Sequence, residues 1–243
     1  MSVYQAYFFS QQIFLYIKYK IYIIIQKIYI KLKGMSMIDF YCVPTSNGQK
    51  IAILLCELGL EFNLIKVNRL AGEPPSDDYL KINPIGKYPS IIDIDSKYKK
   101  TTVFETQAIA QYLIEKTQLL LPKKIEERVN SHIWANAVSS GLTPLLGSQY
   151  YVQFRSKTNL NEINDWFLLE IKRYLQAFDK RLETNNFLAG DNISYCDVMA
   201  FPILFGSVKR LPDDFNNYNN ISRWLNSLIG RPSFRRGLEI AKF

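Results

Sequence analysis

Between Met37 and Val67 the chain commits itself to one supersecondary unit. MIDFYC (37–42) is a short apolar run closed by Pro44 and the Asn47–Gly48 pair, as a buried strand is. From Asn47 onward, Ile51, Leu54, Leu55 and Leu58 recur at helical spacing, and Gly59 supplies the stop. EFNLIKV (61–67) is a second strand. A strand, a helix and a strand in so short a span make a parallel βαβ unit.

The residues after Val67 limit the rest of this half. NRLAGEPPSDDYLKINPIGK holds three prolines and two glycines, so it is a loop with one short helical turn near Ser76 to Ile82. PSIIDID (89–95) and KTTVFE (100–105) are two strands across a polar turn, which suits an antiparallel hairpin. TQAIAQYLIEKT (106–117) is an amphipathic helix carrying Ile109, Leu113 and Ile114 on one face. The order β-α-β-(α)-β-β-α over 37–117 is thioredoxin-like. After the joint QLLLPKK (118–124) the pattern turns wholly helical over 125–243, with helices expected at 125–155, 162–184, 194–206, 221–229 and 233–240. The fold class expected is therefore an α/β thioredoxin-like N-terminal domain plus an all-α C-terminal domain.

Charge has to be located before it is interpreted. The formal net charge is +8, but residues 1–36 hold five lysines and no acid. Without them, 25 basic residues face 22 acidic ones, so the body is near neutral and no nucleic-acid partner is expected. Three scattered cysteines (Cys42, Cys56, Cys196) make no disulfide framework, and a lone His132 makes no multi-histidine metal site. No metal is expected, and the cysteine usage suits a reducing cytoplasm.

The Ile/Tyr/Lys-rich leader, residues 1–36, reads differently from the body. Its uncharged run ends at Lys18, short of the roughly 20 residues a spanning helix needs. It lacks the order of a signal peptide. A basic amphipathic segment on an anionic membrane and a weak signal anchor are two readings. The one adopted is an upstream extension with the folded body starting at Met37, so that membrane contact arises only if the leader is retained.

Several blocks in order then carry a resemblance. NPIGKYPSIID is similar to the NPxGKxPxLxD block of the cytosolic glutathione transferases. FETQAIAQYLIEK resembles their ES-x-AI-x-x-YL block, and FLAGDNISYCDVMAFP their capping block. MIDFYCVPTSNGQKIAILLCELGLEF is most similar to the bacterial nu class and its fungal relatives, whose signature is T-P-N-G-x-K. The resemblance runs from Met37 to about Lys242 and implies the glutathione transferase fold.

Beside that resemblance, the turn at Pro44–Gly48 can be read chemically. It lacks the two glycines of a P-loop. Thr45 and Ser46 have no histidine in sequence reach to activate them. What remains is a thiolate brought by a ligand and held at a helix N-terminus. The nu-class match implies that Thr45 and Asn47 donate to the sulfur of glutathione, the expected co-substrate. It implies a cis Pro89, which turns the Tyr88 backbone outward to pair with the cysteinyl unit. Glu105 and Thr106 would meet the γ-glutamyl ammonium and carboxylate, and Lys87 the glycyl carboxylate. The expected protein is a homodimeric glutathione transferase or disulfide reductase acting on a small electrophile or disulfide. The alternative is a glutathione-binding or protein-interaction module without turnover.

Plainer readings stand beside these. Glu105–Thr106 suits an ordinary helix start with Thr as cap. Ser194 and Asp197 are a capping box with a structural task. Cys42 lies within the strand and is expected to face the core. Tyr150, Tyr151 and Phe154 sit at helical spacing, and core packing and a second-substrate pocket are balanced readings for them. Departures from the nu pattern are Ser46 for Pro, Thr106 for Ser, Pro74 for Gln and, by ungapped count, Trp166 for Arg. The last two bear on the glycyl contacts and on a second bound glutathione.

Overall fold

The computed structural model describes residues 37–67, 73–94, 99–207, 210–211 and 217–243. The leader, the first part of the proline-rich loop and the polar turn that comes after Ile94 lie outside the described residues.

Four strands, β1 (Met37–Cys42), β2 (Phe62–Lys66), β3 (Ser90–Ile94) and β4 (Lys100–Phe104), form one sheet in the order β2-β1-β3-β4. β1 pairs parallel with β2 and antiparallel with β3, and β3 pairs antiparallel with β4. The βαβ unit and the hairpin are thus both as the residue pattern predicts. In β1 every second side chain is buried, Ile38, Phe40 and Cys42, so one face of the strand meets the helices.

The helices of this half are α1 (Ser46–Glu57), the single turn α2 (Asp77–Leu80) and α3 (Thr106–Thr117). Helices then continue as α4 (Ile125–Asn136), a π-helical segment (Ala137–Leu142), α5 (Thr143–Phe154), α6 (Asn161–Glu183), α7 (Tyr195–Ser207), α8 (Asn219–Ile229) and α9 (Pro232–Ile240). The long helix expected over 125–155 is therefore three pieces. Its middle turn is widened, with the Thr143 N–H bonded to the carbonyl of Val138, five residues back. Gly141 sits in that turn because a Cβ there would lie 2.1 Å from the Tyr174 hydroxyl of α6.

α1 is apolar on more than the one face its spacing predicts. Ile51, Ile53, Leu54 and Leu55 are all fully buried, so the helix is enclosed on every side. α7 and α9 pack against it, with α3 alongside. Gly237 of α9 makes that approach possible, since a Cβ there would stand 2.5 Å from the Ile53 Cα. At the far end of α1 the buried Glu57 carboxylate is held by Arg231 and Ser233. The site-bearing helix is thereby fixed against the helical half.

Candidate active site

The sheet register gathers the predicted residues at one end of the sheet. Ser90, the first residue of β3, pairs with Tyr41 near the end of β1 and with Phe104 at the end of β4. The turn after β1, the peptide before β3 and the turn after β4 consequently share one edge. Thr45–Asn47, Lys87–Pro89 and Glu105–Thr106 flank those strand ends directly.

The first of these turns is built around two close contacts. Thr45 is the N-cap of α1, extended at φ −129° and ψ 164°, and its Oγ1 accepts from the Gly48 N–H at 3.3 Å. As acceptor, that hydroxyl still has its own proton to give. Gly48 admits no side chain, because a Cβ would meet the Val43 carbonyl at 2.5 Å and Cys42 Sγ at 2.7 Å. Thr45 is exposed and Asn47 half-buried, so both are open to a ligand.

Lys50, absent from the residues expected at the site, is the main addition. Its side chain is 1% exposed and its Nζ donates to Asn47 Oδ1 and to Thr143 Oγ1, each at 3.0 Å. Burial lowers its pKa from 10.5 to about 7. The contact ties the first turn of α1 to the start of α5 across the two halves of the chain. The signal was available: position 50 lies one turn before Leu54 on a helix that is apolar around it.

Cys42 behaves as a core residue. It is fully buried, its Sγ donates to the Val43 carbonyl at 3.3 Å, and burial pushes its thiol up to about 12. It is no nucleophile at neutral pH.

The Tyr88–Pro89 peptide is cis, and Pro89 is buried. The preceding loop is held by two side chains that meet on the Lys87 carbonyl. Tyr79 Oη and Asn83 Nδ2 donate to it, both at 2.7 Å. The Tyr79 hydroxyl also lies 3.0 Å from Ser90 Oγ, and its ring stacks on Tyr88 with centroids 4.0 Å apart. The Lys87 side chain itself is exposed.

At the third turn the helix starts one residue earlier than a Thr cap requires. Glu105 is the N-cap of α3, at φ 66° and ψ 120°, and no side chain caps the helix. A non-glycine residue there bears strain of order 1–3 kcal/mol. Glu105 is exposed and Thr106 half-buried at the first helical position, leaving first-turn N–H groups facing an open edge. The next residue, Gln107, donates to Tyr195 Oη at 3.3 Å, and that oxygen is 2.8 Å from His132 Nδ1. His132 thus serves an inter-helix contact.

Other residues have structural settings. Asp197, fully buried, accepts from the backbones of Leu188 and Ser194 and from Trp224 Nε1, each at 2.9 Å. Tyr151 and Phe154 are more than half exposed, so the core reading of that cluster does not hold for them. Trp166 is likewise 54% exposed on α6.

A thioredoxin-like sheet bearing a cis-proline loop, docked on a helical half through its first helix, defines the class. The chain belongs to the glutathione S-transferase family: residues 35–115 match the family's N-terminal domain and residues 159–232 its C-terminal domain. It is 31% identical to disulfide-bond oxidoreductase YfcG of Escherichia coli, over 83% of this chain and 94% of that protein. A glutathione transferase family member from Pseudomonas fluorescens, solved with two glutathione bound, matches with a TM-score of 0.76 at 27% identity. That likeness covers 83% of this chain and 92% of the other. A glutathione transferase from Pseudomonas putida, with one glutathione disulfide bound per subunit, matches at TM-score 0.78 and 26% identity. It covers 84% of this chain and 91% of that one.

Proposed function

We propose that the protein is a glutathione-dependent thiol–disulfide oxidoreductase of the transferase fold. The observation that carries this is the register at Ser90, which brings an uncapped helix start, a tied-down cis-proline loop and the Thr45–Asn47 turn to one sheet edge. Glutathione has one group for each. Its γ-glutamyl carboxylate suits the first-turn N–H groups of α3 with Thr106, and its ammonium suits Glu105. Its cysteinyl unit suits the backbone at Tyr88, in the manner of an added strand. Its glycyl carboxylate suits Lys87. Its sulfur then falls to Thr45 Oγ and Asn47 Nδ2 at the positive end of α1.

The sulfur would be held as thiolate, since a helix N-terminus lowers a thiol pKa from about 8.5 to roughly 7 or below. That thiolate attacks one sulfur of a substrate disulfide. The S–S bond breaks, one half leaves as a thiolate that takes a proton from solvent, and the other half stays as a mixed disulfide with glutathione. A second glutathione thiolate attacks the glutathione sulfur of that mixed disulfide, releasing the second thiol and glutathione disulfide. Two glutathiones are oxidised for each disulfide reduced. Support comes from relatives holding two glutathiones or glutathione disulfide.

Rates on a small disulfide such as hydroxyethyl disulfide and on an activated aryl halide separate this reading from conjugation. Turnover of the disulfide well above that of the halide is the expected result. Turnover of neither, with glutathione still bound, would leave only a binding module.

We infer the boundaries 37–117, 118–124 and 125–243 for the two domains and their joint. A homodimer is inferred from unpaired apolar surface: Ile125, Val129 and Ile133 line one side of α4 at every fourth residue, 62%, 47% and 55% exposed. Ile163, Trp166 and Leu169 do the same at the start of α6. Sedimentation at micromolar concentration should give twice the chain mass, and a single species of monomer mass rejects the dimer. A cytoplasmic setting is supported by free, buried Cys42, Cys56 and Cys196. Among the described residues no helix is long and apolar enough to cross a membrane.

A further inference from the structure

Lys50 is a buried amine with no carboxylate partner among the described residues. Its two hydrogen-bond partners, Asn47 Oδ1 and Thr143 Oγ1, are neutral. Burial is the sole cause of its lowered pKa, so no charged neighbour offsets the cost of enclosing it. The acids on its own helix and on the helices packed against it are otherwise engaged or distant. Glu57 is held by Arg231 and Ser233 at the other end of α1, and Asp197 of α7 by Leu188, Ser194 and Trp224. Glu239 of α9 pairs with Lys242, and Arg235 and Arg236 add only like charge. On α3, Glu105 is exposed and no acid pairs with Lys50.

Enclosing an ammonium beside neutral partners alone carries a desolvation cost, so stability gives little reason for it. Its geometry gives one. An ammonium is a donor only, so the contact at 3.0 Å fixes the oxygen of the Asn47 amide toward Lys50 and turns Nδ2 the other way. Asn47 stands in the first turn of α1, one residue before Gly48, and its Nδ2 is left free of the Lys50 contact.

We propose that Lys50 is a positioning residue and the buried counter-charge of the glutathione thiolate, acting on the sulfur through the Asn47 amide. This rests on the reading of the site as a glutathione site. Before glutathione binds, Lys50 is only partly protonated around pH 7, and as ammonium it donates to both acceptors. When glutathione binds as thiolate, the anion raises the affinity of Lys50 for a proton, and the thiol proton is taken up by Lys50 instead of being lost to solvent. No bond other than S–H and N–H changes. The Lys50 contact to Thr143 makes the helical half part of this device, because the widened turn at Ala137–Leu142 presents Thr143 to α1.

Two measurements test it. In wild-type protein with carbon-13-labelled lysine, one lysine should titrate near neutrality, and saturating glutathione should move its midpoint upward. S-methylglutathione, which has no thiol to ionise, should leave that midpoint in place. In Lys50→Met, the ultraviolet absorbance of the bound thiolate should titrate about one pH unit higher than in wild type, about tenfold less thiolate at a fixed pH below both midpoints. A lysine midpoint that glutathione fails to move, or a bound-thiol midpoint equal in Lys50→Met and wild type, overturns the proposal. The lysine measurement needs no variant, so a Lys50→Met protein that does not fold leaves the decision with it. If wild-type protein binds no glutathione by calorimetry, the site reading itself fails and this proposal goes with it.

Discussion

Replacing Asn47 by alanine is expected to lower kcat/KM for disulfide reduction about 10- to 100-fold, the worth of one hydrogen bond to a charged atom. The amide acts on charge at the sulfur, so the loss should fall mainly on turnover. Affinity for glutathione should change less, because in the proposed pose the peptide's carboxylates and backbone dock elsewhere, at Glu105–Thr106, Lys87 and Tyr88. Asn47→Asp is the sharper variant. It keeps the shape, but it sets a carboxylate beside the thiolate and hands Lys50 a permanent partner of its own. It should therefore lose more activity than Asn47→Ala. Asn47 is half-buried at the first turn of α1, and its one link to the interior is the Lys50 contact, which Asn47→Asp keeps and Asn47→Ala loses. Steady-state rates with glutathione varied at fixed disulfide check this. Wild-type turnover in Asn47→Ala would remove the amide from the mechanism and leave Thr45 and the helix terminus to hold the sulfur.

The sheet was legible because its strands are short, apolar and separated by strong turn residues. Gly48, Gly59 and Pro89 each stand where a chain reversal or a close approach needs them. α3 was legible residue for residue, since it is amphipathic and half-exposed. α1 was harder: its burial is set by α7 and α9, which lie more than 130 residues away in sequence. A one-dimensional pattern shows an apolar face but not that a second layer covers the opposite one. Lys50 is marked by its place at the end of the T-P-N-G-x-K signature and by its spacing to Leu54, but the depth of its burial is hidden until the far helices close over it. The widened turn at Ala137–Leu142 has no local signature beyond Gly141, and that glycine is explained by Tyr174, 33 positions on.

The candidate site divides in the same way. Thr45, Tyr88, Pro89 and Thr106 are marked by short blocks that resemble the family's, and those blocks are local in sequence. What those residues could not reveal is how they are aimed. The positive φ of Glu105, the Tyr79–Asn83 clasp on the Lys87 carbonyl and the Lys50–Asn47 contact are spatial features that a motif does not spell out, although Asn83 and Lys50 lie within the quoted blocks. Tyr151 and Phe154 illustrate the reverse case, since helical spacing suits a core but no layer of the described residues lies over them.

Asp197→Ala should cost far more stability than any change at the site, roughly 4–6 kcal/mol, out of the 5–15 kcal/mol typical of a folded chain. The carboxylate is fully enclosed, and burial raises its pKa, yet four donors converge on it. Oδ1 takes the Leu188 N–H and Trp224 Nε1, and Oδ2 takes the N–H and hydroxyl of Ser194. Alanine would strand at least three buried donors at about 1–3 kcal/mol each. The Asp197→Asn change would not rescue them all, because an amide offers one acceptor oxygen and turns an NH2 against the other pair of donors. Its stability should therefore fall between wild type and Asp197→Ala. Urea unfolding followed by tryptophan fluorescence checks the order, since Trp224 is itself a partner. An Asp197→Ala midpoint within error of wild type would mean that water reaches these groups and that the network is not what anchors α7. Asn47→Ala run beside it should lose no more than the about 1–3 kcal/mol of one stranded donor, Lys50 Nζ, and so stay well above the Asp197→Ala midpoint.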